Sequence, residues 1–148
     1  MTQGRGSVQA DDLNIPQSTI RIPLWVTLVV ILGAALTATG AIISKVDPTL
    51  LTNGDPMTEA VRVYADYFFA RNLSIAVLLV FLLAAKARRM LAGFMVLSAL
   101  IQLVDIFDDL VRGAWVLVPG LVVFALIFLL GASRLFGQPV WRVNAWRE

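Results

Sequence analysis

Two groups of residues in this 148-residue chain carry side chains able to do chemistry where an apolar neighbour is expected. The first is Tyr64-Ala65-Asp66-Tyr67-Phe68-Phe69-Ala70-Arg71-Asn72, which leads directly into the apolar run 73–85. The second is the acidic group Asp105, Asp108 and Asp109, at the far end of the following apolar segment. A guanidinium facing carboxylates in such a setting has several uses. It can be a structural ion pair that fixes helix register. It can belong to a hydrated pocket for a ligand, with Tyr64, Tyr67 and Asn72 supplying phenol and amide groups. With Asp105, Asp109 and Arg71 as catalytic groups it can do acid–base work. One carboxylate then activates water or removes a proton and the other donates to oxygen, as opening an epoxide, or isomerising or cyclising an isoprenoid-like substrate, requires. A proton or ion path is a fourth use, although no ionisable residue continues it through the other half of these segments.

The elements that must position these groups are membrane spans. Hydrophobic residues make up 59% of the chain and the mean hydropathy is +0.82, against about 45–50% apolar residues in soluble domains. A span needs roughly 20 apolar residues. Helix 1 (22–44) meets that length without a charge, with Pro23 in its first turn and Trp25 at the interface. Its small residues Gly33, Thr37 and Ala41 recur every four positions, a pattern that serves as a close-packing seam or as a ligand groove. Self-association through this stripe, or packing of it within one chain, are both open. Helix 2 is expected at 59–85, with Thr58 as N-cap; residues 73–85 alone are too short to span, so Arg71 lies within the membrane stretch. Helices 3 and 4 are expected at 90–112 and 114–131, with Pro119-Gly120 kinking the latter. Residues 1–21 read as a mobile tail with a surface turn at 13–15. The segment 45–57 reads as a loop with turns at Asn53-Gly54 and Asp55-Pro56, and 133–148 as an interfacial tail carrying Trp141 and Trp146. The first apolar run begins late for a signal peptide and follows no Ala-x-Ala-like site.

Counting along the spans brings the two groups level. Arg71 lies 15 residues before Lys86, and Asp105 lies 16 after Arg89. At ~1.5 Å per residue both stand about 22–24 Å above the basic turn Lys86-Ala87-Arg88-Arg89. At ~100° per residue Tyr64, Tyr67, Arg71 and Ser74 share one face of helix 2, and Ser98, Gln102, Asp105, Asp109 and Arg112 one face of helix 3, with Asp108 at its edge. The short turn makes helices 2 and 3 antiparallel neighbours, so Arg71 is expected to reach Asp105 or Asp109, its planar fork suiting a bidentate carboxylate. Arg112 is an i,i+4 partner for Asp108. Asp66 and Arg62, one turn apart on the other side of helix 2, are expected to pair.

Orientation follows from the basic residues. Lys86, Arg88, Arg89, Arg5, Arg21, Arg134, Arg142 and Arg147 lie on one side, against Lys45, Arg62 and Arg112 on the other. Eight against three places both termini in the cytoplasm. The chain has no Cys and no His, which excludes thiol–quinone chemistry, Cys-based metal sites and Glu-x-x-His di-metal centres. No metal site or cofactor is implied. A small multidrug exporter would carry a carboxylate in its first helix, and 22–44 has none. The net charge of +2 is dispersed, unlike a nucleic-acid-binding surface.

The stretch from Tyr64 to Leu73, the basic turn, Leu100-Ile101-Gln102-Leu103-Val104-Asp105 and Gly113 together resemble the DoxX-like group of small four-helix bacterial membrane proteins, over residues 22–132. Some members of that group are named as subunits of quinol- or thiosulfate-linked oxidoreductases. This chain offers no cofactor ligands for such a role. The expectation is an all-α, four-transmembrane-helix bundle, multi-pass in a bacterial cytoplasmic membrane. Its charged pocket in the outer half would be lined by Tyr64, Tyr67, Arg71, Asn72, Ser74, Ser98, Gln102, Asp105, Asp108 and Asp109. Its role would be to bind a lipid-like small molecule among membrane lipids, or to serve as an accessory subunit in a homo-oligomer or larger membrane complex. A membrane-embedded acid–base enzyme is the alternative.

Overall fold

The computed structural model describes residues 21–51 and 58–147. The expected tail before Arg21, its turn at 13–15, and the turns at Asn53-Gly54 and Asp55-Pro56 lie outside the described residues. Among those described, the elements are α1 (Leu24–Val46), a 3-10 turn (Pro48–Leu51), α2 (Glu59–Ala84), α3 (Arg88–Arg112), α4 (Val118–Phe136) and a single closing turn, α5 (Asn144–Arg147). The first four helices are long and apolar enough to cross a bilayer. Their outer faces carry exposed Leu28, Leu32, Val77, Phe81, Val104, Phe107, Leu126 and Leu130, an apolar surface suited to lipid and not to water. The chain is an all-α, multi-pass integral membrane protein.

Local chemistry sets the helix ends. Pro23 stands just outside α1 as its N-cap, its carbonyl accepting from the Thr27 amide at 3.1 Å. Thr58 caps α2, its hydroxyl accepting from the Val61 amide at 3.3 Å. The α2–α3 turn closes with the Ala87 amide donating to Leu82 O and the Lys86 amide to Leu83 O, both at 3.1 Å. In this arrangement the residue after the C-cap is left-handed, and here it is Lys86, with φ 55°. The expected start of helix 4 at 114 is corrected to Val118, because residues 114–117 turn after the left-handed Gly113. Pro119 consequently falls in the first turn, where its missing N–H removes no helix bond. The helix also passes 131 and ends at Phe136, since Gly131 continues it and makes room for Met95.

The helices pack as two close pairs, α1 with α2 and α3 with α4. The neighbours α2 and α3 approach less closely, despite their short turn, and α1 and α4 complete the ring. Small residues account for the close pairs. Ala41, Ser44 and Ala65 are buried, with the Ser44 hydroxyl 3.4 Å from Ala65 O. The dry core gathers at the end that carries the basic turn. Val26, Val30, Leu79, Leu91, Met95 and Phe128 are each at most 1% exposed there. Gly33 belongs to this packing, because a methyl on it would collide with the Phe128 ring. The Gly33/Thr37/Ala41 stripe is thus used inside the monomer.

The C-terminal residues fold back on that same end. Arg88 donates to Leu135 O at 3.2 Å and Arg89 to Ala145 O at 3.3 Å. The Trp146 indole donates to Val140 O at 2.8 Å, and its ring lies tilted against Phe136 with centroids 4.9 Å apart. Trp141 stays 78% exposed, free to meet a membrane interface.

Two substitutions test this account of the packing. Gly33→Ala is expected to lower stability by about 1–3 kcal/mol through overpacking, while Gly40→Ala, whose methyl meets nothing within 4 Å, is neutral or better; thermal unfolding in detergent separates them. Lys86→Gly relieves the left-handed cost of about 1 kcal/mol and should raise the midpoint.

Candidate functional site

Arg71 and Asp105 meet. Arg71 Nη2 lies 3.8 Å from Asp105 Oδ1, with side chains 43% and 39% exposed. The contact is single and too long for a hydrogen bond, so the expected bidentate fork is not formed. Part of the guanidinium's attraction goes to its own helix, where it sits 5.3 Å from the centroid of the Phe68 ring. Asp108 pairs with Arg112 at 3.2 Å, one turn apart on α3. Asp66 pairs with Lys45 of α1 at 2.6 Å and not with Arg62. Close packing of α1 on α2 brings a cation from the neighbouring helix nearer than the one on the same helix.

Behind the Arg71–Asp105 contact lies a cavity of about 210 Å³ to which all four spans contribute. From α2 come Phe68, Asn72 and Ile75, and from α3 Ser98, Ile101, Gln102 and Asp105. From α1 come Gly33, Leu36, Thr37 and Gly40, and from α4 Gly120, Leu121 and Phe124. The walls are mainly apolar with a few convergent polar groups, the usual make-up of a small-molecule site. The Ser98 hydroxyl is satisfied within its own helix, donating to Phe94 O at 2.9 Å. Asn72 is only 8% exposed, and its side chain makes no hydrogen bond among the described residues. The Gln102 amide oxygen is buried with no partner among the described residues. An unsatisfied buried polar group costs about 1–3 kcal/mol, and at this cavity the Gln102 oxygen is such a group among the described residues.

Of the sequence-derived residues, the cavity thus collects Asn72, Ser98, Gln102 and Asp105, with Arg71 beside Asp105. Tyr64, Tyr67, Ser74, Asp108 and Asp109 do not line it. On α2 the inward stripe is Phe68, Asn72 and Ile75, about a quarter turn around the helix from Tyr64, Tyr67, Arg71 and Ser74 at ~100° per residue. Tyr67 is accordingly 75% exposed. Tyr64 instead borders a second cavity of about 340 Å³ with Pro48, Phe68 and Arg112. Asp109 shares the face of Asp105 but stands one turn beyond it. Among the described residues, Asp105 is therefore the one carboxylate that lines the cavity.

Phe68, Gly40, Gly120 and Phe124 were not among the sequence candidates, because glycine and phenylalanine in a span read as packing. A partial signal existed in the Gly33/Thr37 stripe and in Pro119-Gly120, both of which border the cavity or adjoin it. No protein-family model, no curated protein and no solved structure matches this chain.

The Arg71–Asp105 contact, single and longer than a hydrogen bond at 3.8 Å, is expected to couple weakly, by about 1 kcal/mol or less. A double-mutant cycle with Arg71→Gln and Asp105→Asn, read by thermal unfolding in detergent, measures it; about 3 kcal/mol or more would mark a buried structural pair instead.

Proposed function

We propose that the chain holds the polar end of a lipid-like small molecule in the inter-helix cavity. The observation that carries this is the cavity itself, lined by all four spans and bordered by Asn72 and Gln102, whose amides make no hydrogen bond among the described residues. At about 210 Å³ it is smaller than the ~300–1,000 Å³ pockets that enclose whole drug-sized ligands, so it suits a head group with the first part of its chain. Asp105 and Arg71, partly exposed at its edge, give it a polar rim.

We place the protein in a bacterial cytoplasmic membrane with both termini inside, as a relative of the DoxX-like group in architecture. The eight basic residues assigned to the cytoplasm support that orientation. In that orientation the dry core lies toward the cytoplasm and the cavity in the outer half of the bilayer.

Gly40 borders the cavity and has open space where a side chain would grow. Gly40→Leu is therefore expected to fill the site without lowering the thermal midpoint of lipid-stripped protein. Mass spectrometry of co-purified lipids should show a specific amphiphile on the wild-type chain, reduced at least tenfold on the variant. Equal retention by both would overturn binding in this cavity.

A further inference from the structure

We infer that the head group held there is a neutral hydroxyl on an apolar body, that is, a lipid alcohol. This rests on the cavity-binding role proposed above and narrows it to one chemistry. Among the described residues, Gln102 buries its amide oxygen without a partner, and Asn72, 8% exposed as a residue, makes no side-chain hydrogen bond. A carboxamide presents a donor at one end and an acceptor at the other. A hydroxyl both donates and accepts, so it can satisfy either end of both amides. An ammonium only donates, and a carboxylate or phosphate, fully ionised, only accepts.

The charges at the site point the same way. Asp105 lines the cavity and accepts hydrogen bonds, so it repels an anionic head and welcomes an O–H donor. A cationic head would find that carboxylate already attended by Arg71 at 3.8 Å, and would itself be repelled by the guanidinium. The pair is close to neutral in sum, and a neutral donor–acceptor is what fits beside it. The apolar remainder of the molecule has walls of Phe68 and Phe124.

The test uses the full chain, stripped of lipid in non-ionic detergent, with three probes of equal length: dodecan-1-ol, dodecylammonium and dodecanoate. Affinities come from titrated thermal shift or native mass spectrometry. Dodecan-1-ol is expected to bind at least tenfold more tightly than either charged probe. Gln102→Met should weaken the alcohol about tenfold, the order of one lost hydrogen bond, while Ser74→Ala, which lies outside the cavity, leaves it unchanged. The ranking on the wild-type chain decides the matter even where Gln102→Met fails to fold. A charged probe that equals or exceeds the alcohol overturns the hydroxyl assignment and leaves cavity binding standing. If no probe binds, the hydroxyl assignment falls; cavity binding falls with it only where the wild-type chain also carries no amphiphile that Gly40→Leu loses.

Discussion

A polar side chain inside a bilayer has no solvent to turn to, and this constraint shapes the protein more than any single contact. Such groups face a partner, their own helix or a cavity. α2 and α3 carry several, and each resolves the problem differently. Ser98 bonds back to its own helix. Arg71 lies against Asp105 and over the Phe68 ring. Asn72 and Gln102 border the space between the helices, where no described residue bonds their amides.

The bundle is consequently uneven along its length. Toward the basic turn, alanine and glycine let the helices approach and aliphatic side chains fill what is left. Arg88 and Arg89 reinforce that end by donating to carbonyls at the close of α4 and in α5, where cations also favour the negative end of a helix. Toward the other end the four helices line a partly open cavity. A tightly packed base beneath an open upper half is a suitable scaffold for a site, since the walls are held in register by packing that the ligand does not supply.

Depth along a span was legible by counting. Residues on antiparallel helices joined by a short turn come level when they are equally far from it, and Arg71 and Asp105 do meet. Thr58 as a cap and Asp108 with Arg112 were also legible, since both depend on spacing within one helix. Tyr64, Tyr67 and Ser74 lie together with Arg71, but the helix is rotated so that Phe68, Asn72 and Ile75 face inward. Asp66 was misassigned for a related reason, because its cation comes from α1.

By itself the sequence determined that four apolar segments cross a membrane, that their polar side chains stand at a common level, and roughly where each helix begins. These follow from hydropathy and from a fixed rise per residue, both properties of one segment at a time. Only the tertiary structure decided how far each helix turns about its axis, that the close pairs are α1–α2 and α3–α4, and that a cavity remains where the pairs meet. Those outcomes depend on which small residues of one helix meet which large ones of another, as Gly33 meets Phe128 and Gly131 meets Met95. Periodicity along a single strand of sequence does not encode that fit.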